Sequence, residues 1–131
     1  MLEGKMAKIL VVDDADHVRD SLKEALEKAG HTATLAVNGE EGLSFYDKQS
    51  DFDLIITDLN MPVMDGMQMC ETLHTKYPDP KPPILILSSE ADPVLKNQSK
   101  EYGVVGWIVK PCKESVISSV VEKIIQKFKK V

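Results

Sequence analysis

Five short apolar runs, each followed by a longer stretch with helical spacing, restrict this chain to a narrow set of folds. The runs are Ala7 to Val12 (AKILVV), His31 to Val37 (HTATLAV), 53–57 (DLIIT), Ile84 to Leu87 (ILIL) and Gly106 to Val109 (GWIV). Each is too short for a helix and suits a strand, the second more weakly than the rest. Helices are expected at 15–29, 40–48, 65–77, from the Asp92-Pro93 cap to about Tyr102, and at 113–130. The first carries Val18, Leu22, Ala25, Leu26 and Ala29 on one face and stops at Gly30. The last carries Val116, Ile117, Val120, Val121, Ile124, Ile125 and Phe128, with lysines opposite and at its end. Pro78, Pro80, Pro82 and Pro83 make a stiff loop that excludes helix. Strands that are apolar throughout, alternating with amphipathic helices, imply an α/β fold: a parallel sheet with helices on both faces.

With 131 residues the chain suits one domain, taken as 7–130 after a flexible segment at 1–6. Its net charge of −5 argues against nonspecific attraction to nucleic acid or an anionic membrane. No stretch is apolar enough to span a bilayer, and the N-terminus lacks a signal-peptide pattern, so a cytoplasmic protein is expected. Cys70 and Cys112 have neither zinc nor redox spacing and read as reduced thiols. His17, His31 and His74 share no metal-site spacing and read as solvated surface.

Chemistry enters where the strands end. The first run ends in Asp13-Asp14, the third in Asp58, the fourth in Ser88 and the fifth in Lys110. In a parallel sheet all these ends share one edge, where open α/β sheets place their sites. Two like charges about 4 Å apart repel by roughly 4 kcal/mol in a partly exposed site. Three carboxylates at one edge therefore call for a cation, and all-oxygen ligands favour Mg²⁺. A Mg²⁺ held by few carboxylates keeps positions open for a phosphoryl group, with Asp58 as an aspartyl nucleophile. Lys110 would supply an opposing cation and Ser88 a hydrogen bond.

The stretch DLNMPVMDG at 58–66, with the acidic pair, the hydroxyl and Lys110-Pro111, resembles the receiver domain of two-component response regulators. The likeness covers residues 7–130 and is strongest to the stand-alone CheY-like type. CheY is itself the standard illustration of strand order 2-1-3-4-5 in the flavodoxin-like fold, and the resemblance implies that order here. It implies that Asp58 accepts a phosphoryl group from a histidine kinase. Asp13, Asp14, Asp58 and the Asn60 backbone carbonyl would bind Mg²⁺, with Asp14 as a direct ligand and Asp13 acting through water. Ser88 and Trp107 would form the switch, Lys110 would complete the catalytic set, and Asn60 and Glu90 would tune dephosphorylation. The Lys110-Pro111 bond is expected to be cis. Trp107 departs from the Tyr, Phe or His usual at its position, and its bulk bears on the strength of the switch.

The implied partners are the kinase, a downstream protein on the face of helix four, strand five and helix five, and a phosphatase. Direct DNA binding and membrane insertion are not expected. The implied activity is phosphotransfer to the chain itself and autodephosphorylation, not enzyme turnover, in a pathway such as chemotaxis. The sequence leaves open a phosphorelay intermediate, a receiver cut from a larger regulator, and a receiver-like docking domain that is never phosphorylated. A small Mg²⁺-dependent phosphatase is a further rival. Such enzymes use a second acid two residues after the nucleophile, where this chain has Asn60.

Overall fold

The backbone traced by a computed structural model alternates strand and helix from end to end, and its described residues are 6–128. Residues 1–5 of the expected flexible segment, and 129–131, which include the end of the last helix expected at 113–130, lie outside them. The strands are β1 (Lys8–Val12), β2 (Thr32–Ala36), β3 (Leu54–Thr57), β4 (Ile84–Ser88) and β5 (Val104–Val109). The helices are α1 (Asp16–Lys28), α2 (Gly39–Lys48), α3 (Gly66–Lys76), α4 (Pro93–Ser99) and α5 (Glu114–Phe128). All strand pairings are parallel, as the sequence pattern implied, in the order β2-β1-β3-β4-β5 that the family resemblance implied.

Side chains alternate across a strand, so one apolar run supplies both faces of the sheet. Leu10, Val12, Ile55, Ile84 and Ile86 point to one side, where Tyr46 of α2 and Met69, Cys70 and Leu73 of α3 cover them. Ile9, Val11, Leu54, Ile56, Leu85 and Leu87 point to the other, under Leu22 and Leu26 of α1 and Ile117, Val121 and Ile124 of α5. Full burial of one such side chain contributes roughly 2 kcal/mol, and the sheet is sandwiched between two such layers. Cys70 is fully buried, and loss of solvent pushes its thiol up to about 12. Cys112 is half-buried against the second layer.

The helix starts follow local chemistry. Asn38 Oδ1 accepts from the Glu41 amide at 2.8 Å, and Asp92 Oδ1 accepts from the Val94 amide at 2.9 Å ahead of Pro93. Helix four is shorter than expected: α4 stops at Ser99 and a 3-10 turn, Lys100–Tyr102, continues to Gly103 at φ +88°. Strand five begins at Val104, two residues before the expected Gly106: Val104 pairs with Ile84 and Gly106 with Leu85, and Val105 is the extra residue at the register irregularity between them. The peptide bond Lys110-Pro111 is cis as expected, and Asp79-Pro80 is cis as well.

Candidate functional site

Register places the acids. Val12 of β1 lies opposite Thr57 of β3, and Thr57 lies opposite Ile86 of β4, so Asp13 and Asp58 leave the sheet side by side. The ladder continues one step past the strands. The Asp58 amide donates to the Val12 carbonyl at 2.9 Å, the Asp13 amide to the Ala36 carbonyl at 3.0 Å, and the Lys110 amide to the Ser88 carbonyl at 2.9 Å.

Carboxylate oxygens of Asp13, Asp14 and Asp58 all fall within 4.8 Å of one another. Lys110 Nζ stands between two of them, 2.8 Å from Asp13 Oδ2 and 3.0 Å from Asp58 Oδ2. Burial works against the Lys110 ammonium, but hydrogen bonds and charge from Asp13 and Asp58 outweigh it and hold its pKa above the ordinary lysine value. The other Asp13 oxygen accepts from the Ala15 amide at 2.9 Å, and Asp58 Oδ1 accepts from the Leu59 amide at 2.6 Å. Asp14 is exposed, and among the described residues its side chain has no hydrogen-bond partner. One ammonium thus faces three carboxylates. This all-oxygen donor set, in charge excess and partly open to solvent, fits a hard divalent cation such as Mg²⁺.

The loop after Asp58 is braced on both sides. Asp65 caps α3 by accepting from the Gln68 amide at 2.8 Å, and Gln68 Oε1 accepts from the Asp65 amide at 3.0 Å. Gly66 presses on the acid's own backbone: a Cβ there would sit 2.1 Å from the Asp58 carbonyl oxygen. At the loop's outer tip, Val63 adopts φ +69°, and the Met64 amide donates to the Pro62 carbonyl at 2.7 Å. A β-branched residue in that region is strained, and such strain concentrates beside functional sites. The Met64 carbonyl accepts from the Gly39 amide at 2.9 Å, which ties the tip to α2. Asn60 is exposed on this loop.

Ser88 is fully buried, and its hydroxyl oxygen accepts from the Glu90 amide at 3.2 Å. Trp107 is half-buried against the α2/α3 layer, and its indole N–H donates to the Glu90 carbonyl at 2.8 Å. Both sides of Glu90's backbone are therefore held, one by each expected switch residue. The Glu90 carboxylate turns toward α4 and accepts from the Asp92 amide at 3.2 Å. Among the described residues no hydrogen bond joins Ser88 to Asp58.

Two residues stand where sequence reasoning did not put them. His31 is not solvated surface: its side chain is fully buried, with Nδ1 accepting from the Ala7 amide at 3.2 Å and Nε2 2.6 Å from Glu122 Oε2. His17 and His74 are exposed as expected. Arg19, the only arginine in the sequence, reaches back from α1 and donates to the Asp13 carbonyl at 2.7 Å and to the Asp16 carboxylate. Its lone place among lysines, six residues after Asp13, was the available signal.

Residues 9–122 match the family model for the response regulator receiver domain. Chemotaxis protein CheY-3 of Vibrio cholerae is 30% identical over 95% of this chain and 96% of its own length. Transcriptional regulatory protein ResD of Bacillus subtilis is 35% identical over 79% of this chain, which spans only 42% of ResD. The chain likewise spans 51% of the probable transcriptional regulator ycf27 of Cyanidium caldarium, at 29% identity. Among solved structures, chemotaxis protein CheY4 of Vibrio cholerae superposes with a TM-score of 0.84 at 34% identity, covering 92% of this chain and 99% of that one. The signal receiver domain of a signal transduction histidine kinase from Syntrophus aciditrophicus gives 0.83 at 33% identity, covering 95% and 94%.

Proposed function

The chain belongs to the response regulator receiver domain family of two-component signalling, and from that premise we propose that Asp58 is its phosphoryl acceptor. The observation that carries this reading is the convergence of three carboxylates with one ammonium bridging Asp13 and Asp58. An Asp58 carboxylate oxygen forms the new bond to phosphorus, and the bond to the donor's imidazole nitrogen breaks as that nitrogen keeps the electron pair. Asp13, Asp14, Asp58 and the Asn60 backbone carbonyl would hold a Mg²⁺, which supplies neutralisation of the charge on the transferring group. Lys110 offers a second positive charge, held between Asp13 and Asp58. The Ser88 oxygen already accepts from Glu90, so its own O–H hydrogen is available to a phosphoryl oxygen.

The added charge, by analogy with serine, threonine and tyrosine phosphates about −1.5 to −2, draws Lys110 and Ser88 toward Asp58. Ser88 and Trp107 hold the same residue, Glu90, so a shift at one loads the other. Trp107 thereby passes the change to the face of α4, β5 and α5. Exposed Val94, Val105, Val109 and Val116 on these elements give that face apolar surface for a protein partner. Asn60 and Glu90 flank the site as tuners of phosphoryl lifetime. The protein works in the cytoplasm; among the described residues no helix is long and apolar enough to cross a membrane.

Intact mass after incubation with an acyl phosphate and Mg²⁺ tests the assignment. A single labile phosphoryl adduct on the wild type, absent from Asp58→Asn, is the expected outcome. Mg²⁺ binding without any adduct would instead favour a docking domain that is never phosphorylated.

A further inference from the structure

Each polar atom of Asp13 already has one protein partner. Its amide, its two carboxylate oxygens and its backbone carbonyl are engaged by Ala36, Ala15, Lys110 and Arg19 respectively. The Arg19 bond is the one made to the peptide plane between the two acids. That plane contains the Asp14 nitrogen, and a planar peptide transmits the direction of its carbonyl to the next residue. Asp14 has no partner of its own among the described residues, so the aim of its carboxylate depends on how this plane is held.

The clamp is built for direction. Arg19 is a side chain only 12% exposed, and its two terminal nitrogens divide their work between the Asp13 carbonyl and the Asp16 carboxylate at the start of α1. A guanidinium is a rigid planar fork, whereas an ammonium is a single point with rotatable donors. Helix α1 has no side-chain cap at Ala15, so this fork is the side-chain tie from the helix body back to the acidic loop.

We propose that Arg19 is a positioning residue for metal-dependent phosphoryl uptake: by clamping the Asp13 carbonyl it aims Asp14 at the cation shared with Asp58. The inference rests on the receiver reading of Asp58. Its expected signature is a loss of Mg²⁺ affinity with the transfer step intact, because Arg19 touches neither phosphorus nor its acceptor. Removing a partner that orients a metal ligand typically weakens metal binding by about tenfold or more.

The test is calorimetric titration with Mg²⁺ of the wild type, Arg19→Gln and Arg19→Lys, with thermal melts to establish folding. Acyl phosphate labelling is then followed across Mg²⁺ concentrations. Arg19→Gln should raise the Mg²⁺ Kd about tenfold. Arg19→Lys, which keeps the charge and one donor, should fall between it and the wild type. The Mg²⁺ needed for half-maximal labelling should rise by the same factor, while the rate at saturating Mg²⁺ stays within about twofold. Folded Arg19→Gln with wild-type affinity overturns the proposal, as does a lower saturating rate with unchanged affinity. Should Arg19→Gln fail to fold, Arg19→Lys decides by the same measure: a raised Kd supports the clamp and an unchanged one overturns it. A wild type that binds Mg²⁺ and takes the label beside an indistinguishable Arg19→Gln sinks the clamp alone. A wild type that binds no Mg²⁺ sinks the clamp together with the receiver reading.

Discussion

The two ends of the same sheet are treated in opposite ways. At the end where the strands start, ionic groups meet partners. Lys8 Nζ lies 2.6 Å from Asp51, Asp53 accepts from the Lys8 amide at 2.8 Å, and buried His31 bridges the Ala7 amide and Glu122. Where the strands finish, three carboxylates cluster with one ammonium bridging two of them, and Asp14 is left without a partner among the described residues. Polar groups at the first end complete a structure. At the second they leave a charge deficit that a ligand can fill. A fold can tolerate such a deficit at its solvent edge, where screening limits the repulsion, far better than within its layers.

The largest expected disturbance comes from Gly66→Ala, which attacks the deficient end through its backbone. The new Cβ would meet the Asp58 carbonyl at 2.1 Å, backbone against backbone, so α3 or the acid must move. A loss of about 2–3 kcal/mol in urea denaturation is expected, with slower phosphoryl uptake. An unchanged midpoint would mean that the loop yields and that the brace around Asp58 is weak.

His31→Ala should cost somewhat less, about 2 kcal/mol, by orphaning the Ala7 amide and stripping Glu122 of its partner. Mg²⁺ affinity and labelling should stay at wild-type values, since the substitution lies at the completed end. A changed Mg²⁺ affinity would break the contrast between the ends. The smallest effect, and the sharpest in pH, belongs to Lys110→Gln. The Lys110 pKa is raised on folding, so its contribution is fully present below the ordinary lysine value of 10.5 and is lost as pH rises through the folded value. The stability gap between wild type and Lys110→Gln should therefore be constant through neutral pH and close above about pH 10.5 in thermal melts. A gap that closes on the acid side instead would show that the carboxylates, not the lysine, govern the pair.

Strand ends were readable because the apolar runs stop abruptly and the next residue is charged or hydroxylic in four of them, at Asp13, Asp58, Ser88 and Lys110. Parallel order then brings those residues together with no further information. His31 escaped because β2 is an edge strand of mixed burial that gives little periodic signal, and its partner Glu122 lies 91 residues away. Nothing local distinguishes a buried histidine from a solvated one when the partner arrives from another helix. The early start of β5 was hidden for a different reason: Val104 joins the strand by pairing with Ile84 across a register irregularity, which the local run does not show. Arg19 bonds to a backbone carbonyl, a partner that every residue possesses, so only its being the lone arginine singled it out.

The burial of Cys70 has a consequence for reagents. Burial pushes its thiol up to about 12, and the sulfur is walled off between α3 and the sheet, so it is not a nucleophile at neutral pH. Cys112 sits two residues after Lys110, half-buried but reachable from solvent. To a thiol reagent, this two-cysteine chain presents a single solvent-reachable sulfur, two residues along from the cation that faces Asp58.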